Sequence, residues 1–214
     1  MVLGITGLPG SGKSSFSKCF GDYGVLVIDA DRVGHRVLAQ DPVVVALVEH
    51  FGKDILIDGQ INRGRLAQKA FQPHEIAHLN AICHPAIYRE IEMLIKTKSS
   101  LMSYIVLEAA LLFEAGFSSL CDFSVCLNVP FESRVERVSQ RGWSRQELKN
   151  RDEHQDATQK QTRSDLCLNG DVPEGHLKLW TKKLDIILRY AMAVGEPHQV
   201  GQLLKSWKYP LLLA

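Results

Sequence analysis

The chain of 214 residues is long enough to bury a proper core, and its length fits one core domain carrying sizeable insertions. With 25 Lys and Arg against 24 Asp and Glu, the formal net charge of +1 gives no sign of the broad electropositive surface that nucleic-acid binding needs, so any anion site is local. The five cysteines form no C-x-x-C pair, which argues against a disulfide framework or structural zinc and for reduced core thiols.

The chain opens MVLGITG, without the basic and apolar regions of a signal peptide. Residues 2–6 predict a short strand, 7–14 a glycine loop, and 14–20 a helix with Phe16 and Phe20 spaced i, i+4. Residues 25–28, closed by Asp29, read as a strand covered on both faces. Helical patterns follow over 32–51, 65–71 and 73–97. Residues 105–107, closed by Glu108, and 123–129 read as further strands, with 166–168 as a shorter fifth. Helices are predicted over 132–141, 144–161 and 175–193. The apolar stretch 104–113 is interrupted by Glu108 and falls far short of the roughly 20 residues of a membrane span, so a soluble cytoplasmic protein without a membrane partner is expected.

Alternating strand and helix signals predict an α/β fold, a parallel five-stranded sheet flanked by helices. Residues 1–42, 101–130 and 164–214 are expected to form the core. A helical insertion over about 43–100 is expected to shape an acceptor pocket, and 131–163, rich in both charge signs, to form a lid.

The loop Gly7-Leu8-Pro9-Gly10-Ser11-Gly12-Lys13-Ser14 fits G-x-x-x-x-G-K-[ST] between a strand and a helix. Glycines let backbone N–H groups turn around a phosphate, and the helix N-terminus adds partial positive charge. Lys13 reaches the β and γ phosphates, and the Ser14 hydroxyl holds Mg²⁺. Gly7, Gly10, Ser11, Gly12, Lys13, Ser14 and the following Ser15 are thus the expected ATP contacts. The competing reading is a glycine turn that merely caps a helix at Ser14.

Asp29 and Asp31 lie at a strand's carboxyl end, where open α/β sheets place ligands. A carboxylate there accepts a proton from an attacking hydroxyl or holds water of a magnesium shell, while Asp31 as a helix cap and Asp29 as a turn acid remain compatible. Glu108, closing the third strand, either joins the magnesium shell or simply ends an apolar run. Glu114, beyond Leu111-Leu112-Phe113, faces an acceptor in one reading. Arg134, Arg137 and Arg141 step along one helix face, as a solvated stripe or as lid cations that offset charge on a transferring phosphoryl group. His84-Pro85 predicts a helix break with the histidine held at it, structural or functional. No second His or Cys stands at metal-ligand spacing, so no zinc is expected.

Together, GLPGSGKS at 7–14, VIDAD at 27–31, FGKDIL at 51–56 with Asp58-Gly59, Asn62-Arg63 and Leu66, CHPAI at 83–87 and LLFE at 111–114 resemble the dephospho-coenzyme A kinase family over roughly residues 2–170. The resemblance implies a P-loop kinase fold with a helical acceptor domain and a lid. It also implies transfer of the ATP γ-phosphate to the ribose 3′-hydroxyl of dephospho-coenzyme A, the last step of coenzyme A synthesis. Asp31 matches the family's general base, Arg141 its lid arginine, and Lys160 and Asp165 its lysine and acid before the last strand. Arg63 and His84 match the acceptor side, where Leu111 and Glu114 are also placed. The family's usual arginine four residues after the base is His35 here, and its DxPLLFE reads Glu108-Ala109-Ala110-Leu111-Leu112-Phe113-Glu114. A monomer or small homo-oligomer is expected. The alternatives are a P-loop kinase for another small acceptor, such as a nucleoside monophosphate, and a non-catalytic nucleotide switch.

Overall fold

The structure is a computed structural model that describes residues 1–70, 72, 74–196 and 199–201. The expected helix ends at Phe71 and Pro73, and the expected core at 197–198 and 202–214, lie outside the described residues. In chain order the elements are β1 (Val2–Gly7), α1 (Lys13–Gly21), β2 (Leu26–Asp29), α2 (Ala30–Val37), α3 (Asp41–Phe51), β3 (Leu56–Ile57), β4 (Gln60–Ile61), α4 (Arg63–Ala70) and α5 (Glu75–Lys98). There follow β5 (Ile105–Glu108), β6 (Phe123–Asn128), α6 (Phe131–Ser139), α7 (Arg145–Asp152), α8 (Ala157–Arg163), β7 (Leu166–Asn169) and α9 (Glu174–Ala193). The chain divides into two compact units, Met1–Asp29 with Ile95–Ala214, and Ala30–Leu94.

The first unit holds the predicted parallel sheet, in the order β2-β5-β1-β6-β7 among the described residues. β1 is buried along its whole length and pairs with β5 on one side and β6 on the other. The expectation that β2 is covered on both faces is corrected: it is an edge strand in which only Ile28 is fully buried. Its register sets Asp29 opposite Glu108 of β5. Phe16 and Phe20 of α1 meet edge to face at 5.4 Å, and Phe20 meets Tyr104 likewise at 6.3 Å. Leu177, Trp180, Leu184 and Leu188 of α9 complete this cluster over β1 and β6. Each such side chain contributes about 1.5–3 kcal/mol by leaving water, so the strand feeding the glycine loop is anchored by this apolar cluster. All five cysteines are free.

Three predicted helices differ from those observed. The helix expected over 32–51 breaks before α3, where Gln40 adopts an extended N-cap and Pro42 supplies a fixed φ in the first turn. That expected over 144–161 splits into α7 and α8, each with its own cap, a Ser144–Glu147 capping box and the Asp156 carboxylate on Gln159 N. The break expected at His84-Pro85 is absent, since Pro85 lies inside the continuous α5. In the second unit the sequence reading also missed the hairpin β3–β4. Asp58 and Gly59 turn it with φ of 50° and 77°, the left-handed pair a two-residue hairpin turn requires.

Candidate active site

The loop between β1 and α1 is shaped by close approach. At Gly7 a Cβ would stand 2.6 Å from the Leu127 carbonyl oxygen, and at Gly10, with φ of 79°, 3.0 Å from Val138 of α6. Only glycine fits either position. Gly12 caps α1 without any side-chain bond, so the helix's first-turn N–H groups and positive dipole end are left for an anion. Ser11 Oγ is buried without a partner, an unmet polar group that a phosphate or its water would satisfy. Lys13 Nζ donates to the Leu8 carbonyl at 3.3 Å, and Ser15 is exposed on the first turn of α1.

Ser14 is no cap. Its hydroxyl donates to Glu108 Oε1 at 2.6 Å, and Ser17, one turn along α1, donates to Glu108 Oε2. Glu108 is 8% exposed and closes β5 with Asp29 at the neighbouring strand end. An exposed hydroxyl therefore shares a buried carboxylate at the mouth of the loop, a donor set of hard oxygens suited to Mg²⁺ or its water shell. Sequence reasoning missed Ser17, although its i, i+3 spacing from Ser14 places both on one helix face.

The arginines expected to act as one stripe are divided among different tasks. Arg134 is 4% exposed and forks onto the Asp152 carboxylate of α7 at 2.8 and 2.7 Å. It also donates to the carbonyls of Val129 at 3.2 Å and of Pro9, inside the loop, at 3.1 Å. Arg137 donates to the Gly170 carbonyl at 3.0 Å and pairs with Asp171 at 3.1 Å. Arg141 is exposed and lines, with Gly10, Gly12, Ser15 and Gln140, an open cleft of about 740 Å³. The partnership of Arg134 with Asp152 carries no local sequence signal, because the two stand on separate helices.

Past β5, Leu111 is half-buried and Glu114 pairs with Lys160 of α8, whose side chain is 1% exposed. Lys160 also donates to the Ala110 carbonyl at 2.6 Å, while Glu114 Oε2 is buried without a partner. Asp165 accepts from the backbone and hydroxyl of Ser124, at 2.8 and 2.7 Å, and so fixes the start of β6. In the second unit, Asp31 lies exposed in the first turn of α2 and Arg63 exposed at the start of α4. His84 is half-buried in α5, and burial lowers its imidazole below the ordinary value.

A phosphate loop with its carboxylate partner defines a class, and comparison with known proteins narrows it. Residues 1–173 match the family described as Dephospho-CoA kinase. The dephospho-CoA kinase of Idiomarina loihiensis is 40% identical over 149 residues, spanning 68% of this chain and 73% of that protein. The dephospho-CoA kinase of Streptomyces avermitilis is 34% identical over 210 residues, 94% of this chain and 98% of that one. The crystal structure of TT1252 from Thermus thermophilus aligns with a TM-score of 0.72 at 29% identity, covering 87% of this chain and 96% of its own. By this match, which takes in the glycine loop, the sheet and the arginine-bearing helices, the chain belongs to the dephospho-CoA kinase family.

Proposed function

We propose that this chain transfers the γ-phosphoryl group of ATP to the ribose 3′-hydroxyl of dephospho-coenzyme A, giving coenzyme A and ADP. The observation that carries the reading is the glycine loop whose Ser14 hydroxyl lies 2.6 Å from the buried Glu108 in a chain of this family. The backbone of Gly7, Gly10, Ser11 and Gly12 cradles the phosphates, and Lys13 and Ser15 add side-chain contacts. Ser14 and Glu108 are the residues that would hold Mg²⁺ or its water shell. Such an ion would supply positive charge against the phosphates during transfer.

Asp31 is the general base. It follows the strand-end Asp29 by two residues, and its exposed carboxylate accepts the 3′-hydroxyl proton as that oxygen attacks phosphorus. The bond from the γ phosphorus to the bridging oxygen breaks, and ADP keeps that oxygen. Arg141, exposed beside Gly10 and Gly12, supplies charge to the equatorial oxygens and needs no proton transfer to do so. Arg63, His84, Leu111 and Glu114 serve the acceptor, with the unpartnered Glu114 Oε2 as an available hydrogen-bond acceptor. Residues 43–100 form the acceptor-binding insertion and 131–163 the lid in this reading. Small substrates fit a cytoplasmic monomer or small homo-oligomer without a nucleic-acid partner, and no helix of the described residues is long and apolar enough to cross a membrane.

The test is Asp31→Asn. ATP affinity, followed with a fluorescent analogue, stays within about twofold, while kcat falls roughly 10²–10⁴-fold, the usual size of a general-base contribution. An unchanged kcat removes Asp31 from the mechanism.

A further inference from the structure

The second unit carries a cluster of metal-ligand side chains that includes none of the residues assigned to the proposed reaction. His50 closes α3, and Glu75 and His78 stand one turn apart at the start of α5. One atom from each, an imidazole nitrogen or a carboxylate oxygen, lies within 4.8 Å of the others. His50 Nε2 is 2.7 Å from Glu75 Oε2, and His78 Nδ1 is 3.8 Å from the same oxygen. The two imidazoles stack with centroids 4.3 Å apart at 26°. The expectation of no zinc rested on spacing along the chain, and the fold brings together His50 and Glu75 across a sequence separation of 25.

We propose that His50, Glu75 and His78 form a Zn²⁺ site that clips the end of α3 to the start of α5. Two imidazole nitrogens and one carboxylate oxygen are a common zinc donor set, and nitrogen ligands disfavour Mg²⁺ and Ca²⁺. Tetrahedral coordination with bonds of about 2.0–2.1 Å sets ligand atoms about 3.3 Å apart. The separations of 2.7 and 3.8 Å from Glu75 straddle that value and no two of the three ligand atoms are more than 4.8 Å apart, so the site closes when the stacked rings turn out of their near-parallel arrangement and aim both nitrogens at one point. Exposure also leaves the cluster open to ions, with side chains 31%, 36% and 56% accessible for His50, Glu75 and His78.

Residues 74–78 read His-Glu-Ile-Ala-His, the lettering of a metalloprotease helix, but the geometry differs. His74 has a φ of 70° and precedes α5, so His74 and His78 do not share a helix face, and Glu75 is itself a ligand. The fourth position falls to water or to His74, the residue preceding Glu75. Zn²⁺ displaces the hydrogen shared by His50 and Glu75, which moves to the other ring nitrogen or to solvent. The closed segment carries the hairpin β3–β4 and α4, so the ion restrains that whole excursion of the chain.

The experiment uses the full chain, stripped of metal and held in excess Mg²⁺ to mask the Ser14–Glu108 oxygens, without nucleotide. Zn²⁺ is titrated by calorimetry and Co²⁺ by its visible spectrum, alongside melting curves. The expected result is one Zn²⁺ per chain and a rise in Tm of roughly 5–10 °C at a hundredfold excess over Kd. His50→Ala and His78→Ala each weaken binding at least about tenfold, and the double variant, whose metal-free melting matches the parent, shows no rise in Tm. Equal Zn²⁺ affinity in parent and double variant, or no response of the parent to millimolar Zn²⁺, overturns the proposal.

Discussion

Replacing Arg134 with methionine tests whether the arginine-bearing segment is built on a buried fork. Methionine keeps most of the side chain's length and apolar stem, so the packing of α6 on Gly10 survives while the guanidinium is lost. Asp152, whose side chain is 20% exposed, is left without its bidentate partner, and the Pro9 and Val129 carbonyls each lose a donor. Removing one side of a buried pair costs about 3–5 kcal/mol, and the partial exposure of Asp152 points to the lower end, about 3 kcal/mol. For a chain of this size that corresponds to a fall in Tm of about 6–12 °C. Urea denaturation of Arg134→Met, Asp152→Leu and the double variant measures the coupling directly. The two single losses together should exceed that of the double variant by about 2 kcal/mol or more. ATP binding should weaken too, because Pro9 belongs to the phosphate loop. Additive losses, or a Tm within about 2 °C of the parent, would refute the reasoning.

Arg141→Ala should behave in the opposite way, since the side chain is exposed and lines the cleft. Stability is expected to change by less than about 0.5 kcal/mol while kcat drops on the order of 10²-fold or more, and a change confined to KM would instead indicate ground-state nucleotide binding. His84 gives a pH signature. Burial depresses its imidazole in the folded state, so its contribution is fully present above the unfolded value of about 6.5 and is lost as pH falls from there through the lower folded value. Urea melts between pH 8 and pH 5 should therefore show a slope that flattens in His84→Gln, and an unchanged slope would exclude His84 as its source.

Much of the first unit was legible because its signals are local. The strand of residues 2–6, the glycines and Phe16–Phe20 all lie within residues 2–20, and each dictates its own conformation. The hairpin β3–β4 was missed even though Asp58-Gly59 is a strong turn signal, because strands of two residues show no alternation to read. Pro85 misled in the other direction. A helix of 24 residues tolerates one missing N–H when its apolar face is packed, with Cys83, Ala86 and Ile91 buried on either side. At the site, spacing put Arg134, Arg137 and Arg141 on one helix face, but α6 ends at Ser139 and leaves Arg141 in the turn beyond it, and spacing could not say that Asp152 would take up Arg134. Nor could it say that Glu114 would meet Lys160, since both pairings depend on how separate elements pack.

The identity of the acceptor is decided by analysis of the reaction product. The full chain is incubated with ATP, Mg²⁺ and dephospho-coenzyme A, with parallel reactions offering AMP, other nucleoside monophosphates or no acceptor, and products are identified by mass. Stoichiometric ADP and a product one phosphoryl group heavier than dephospho-coenzyme A are expected, with the 3′-oxygen as the site of attachment and little turnover of the other acceptors. Phosphorylation of a nucleoside monophosphate in preference to dephospho-coenzyme A, or nucleotide binding with no transfer to any acceptor, would contradict the proposed function.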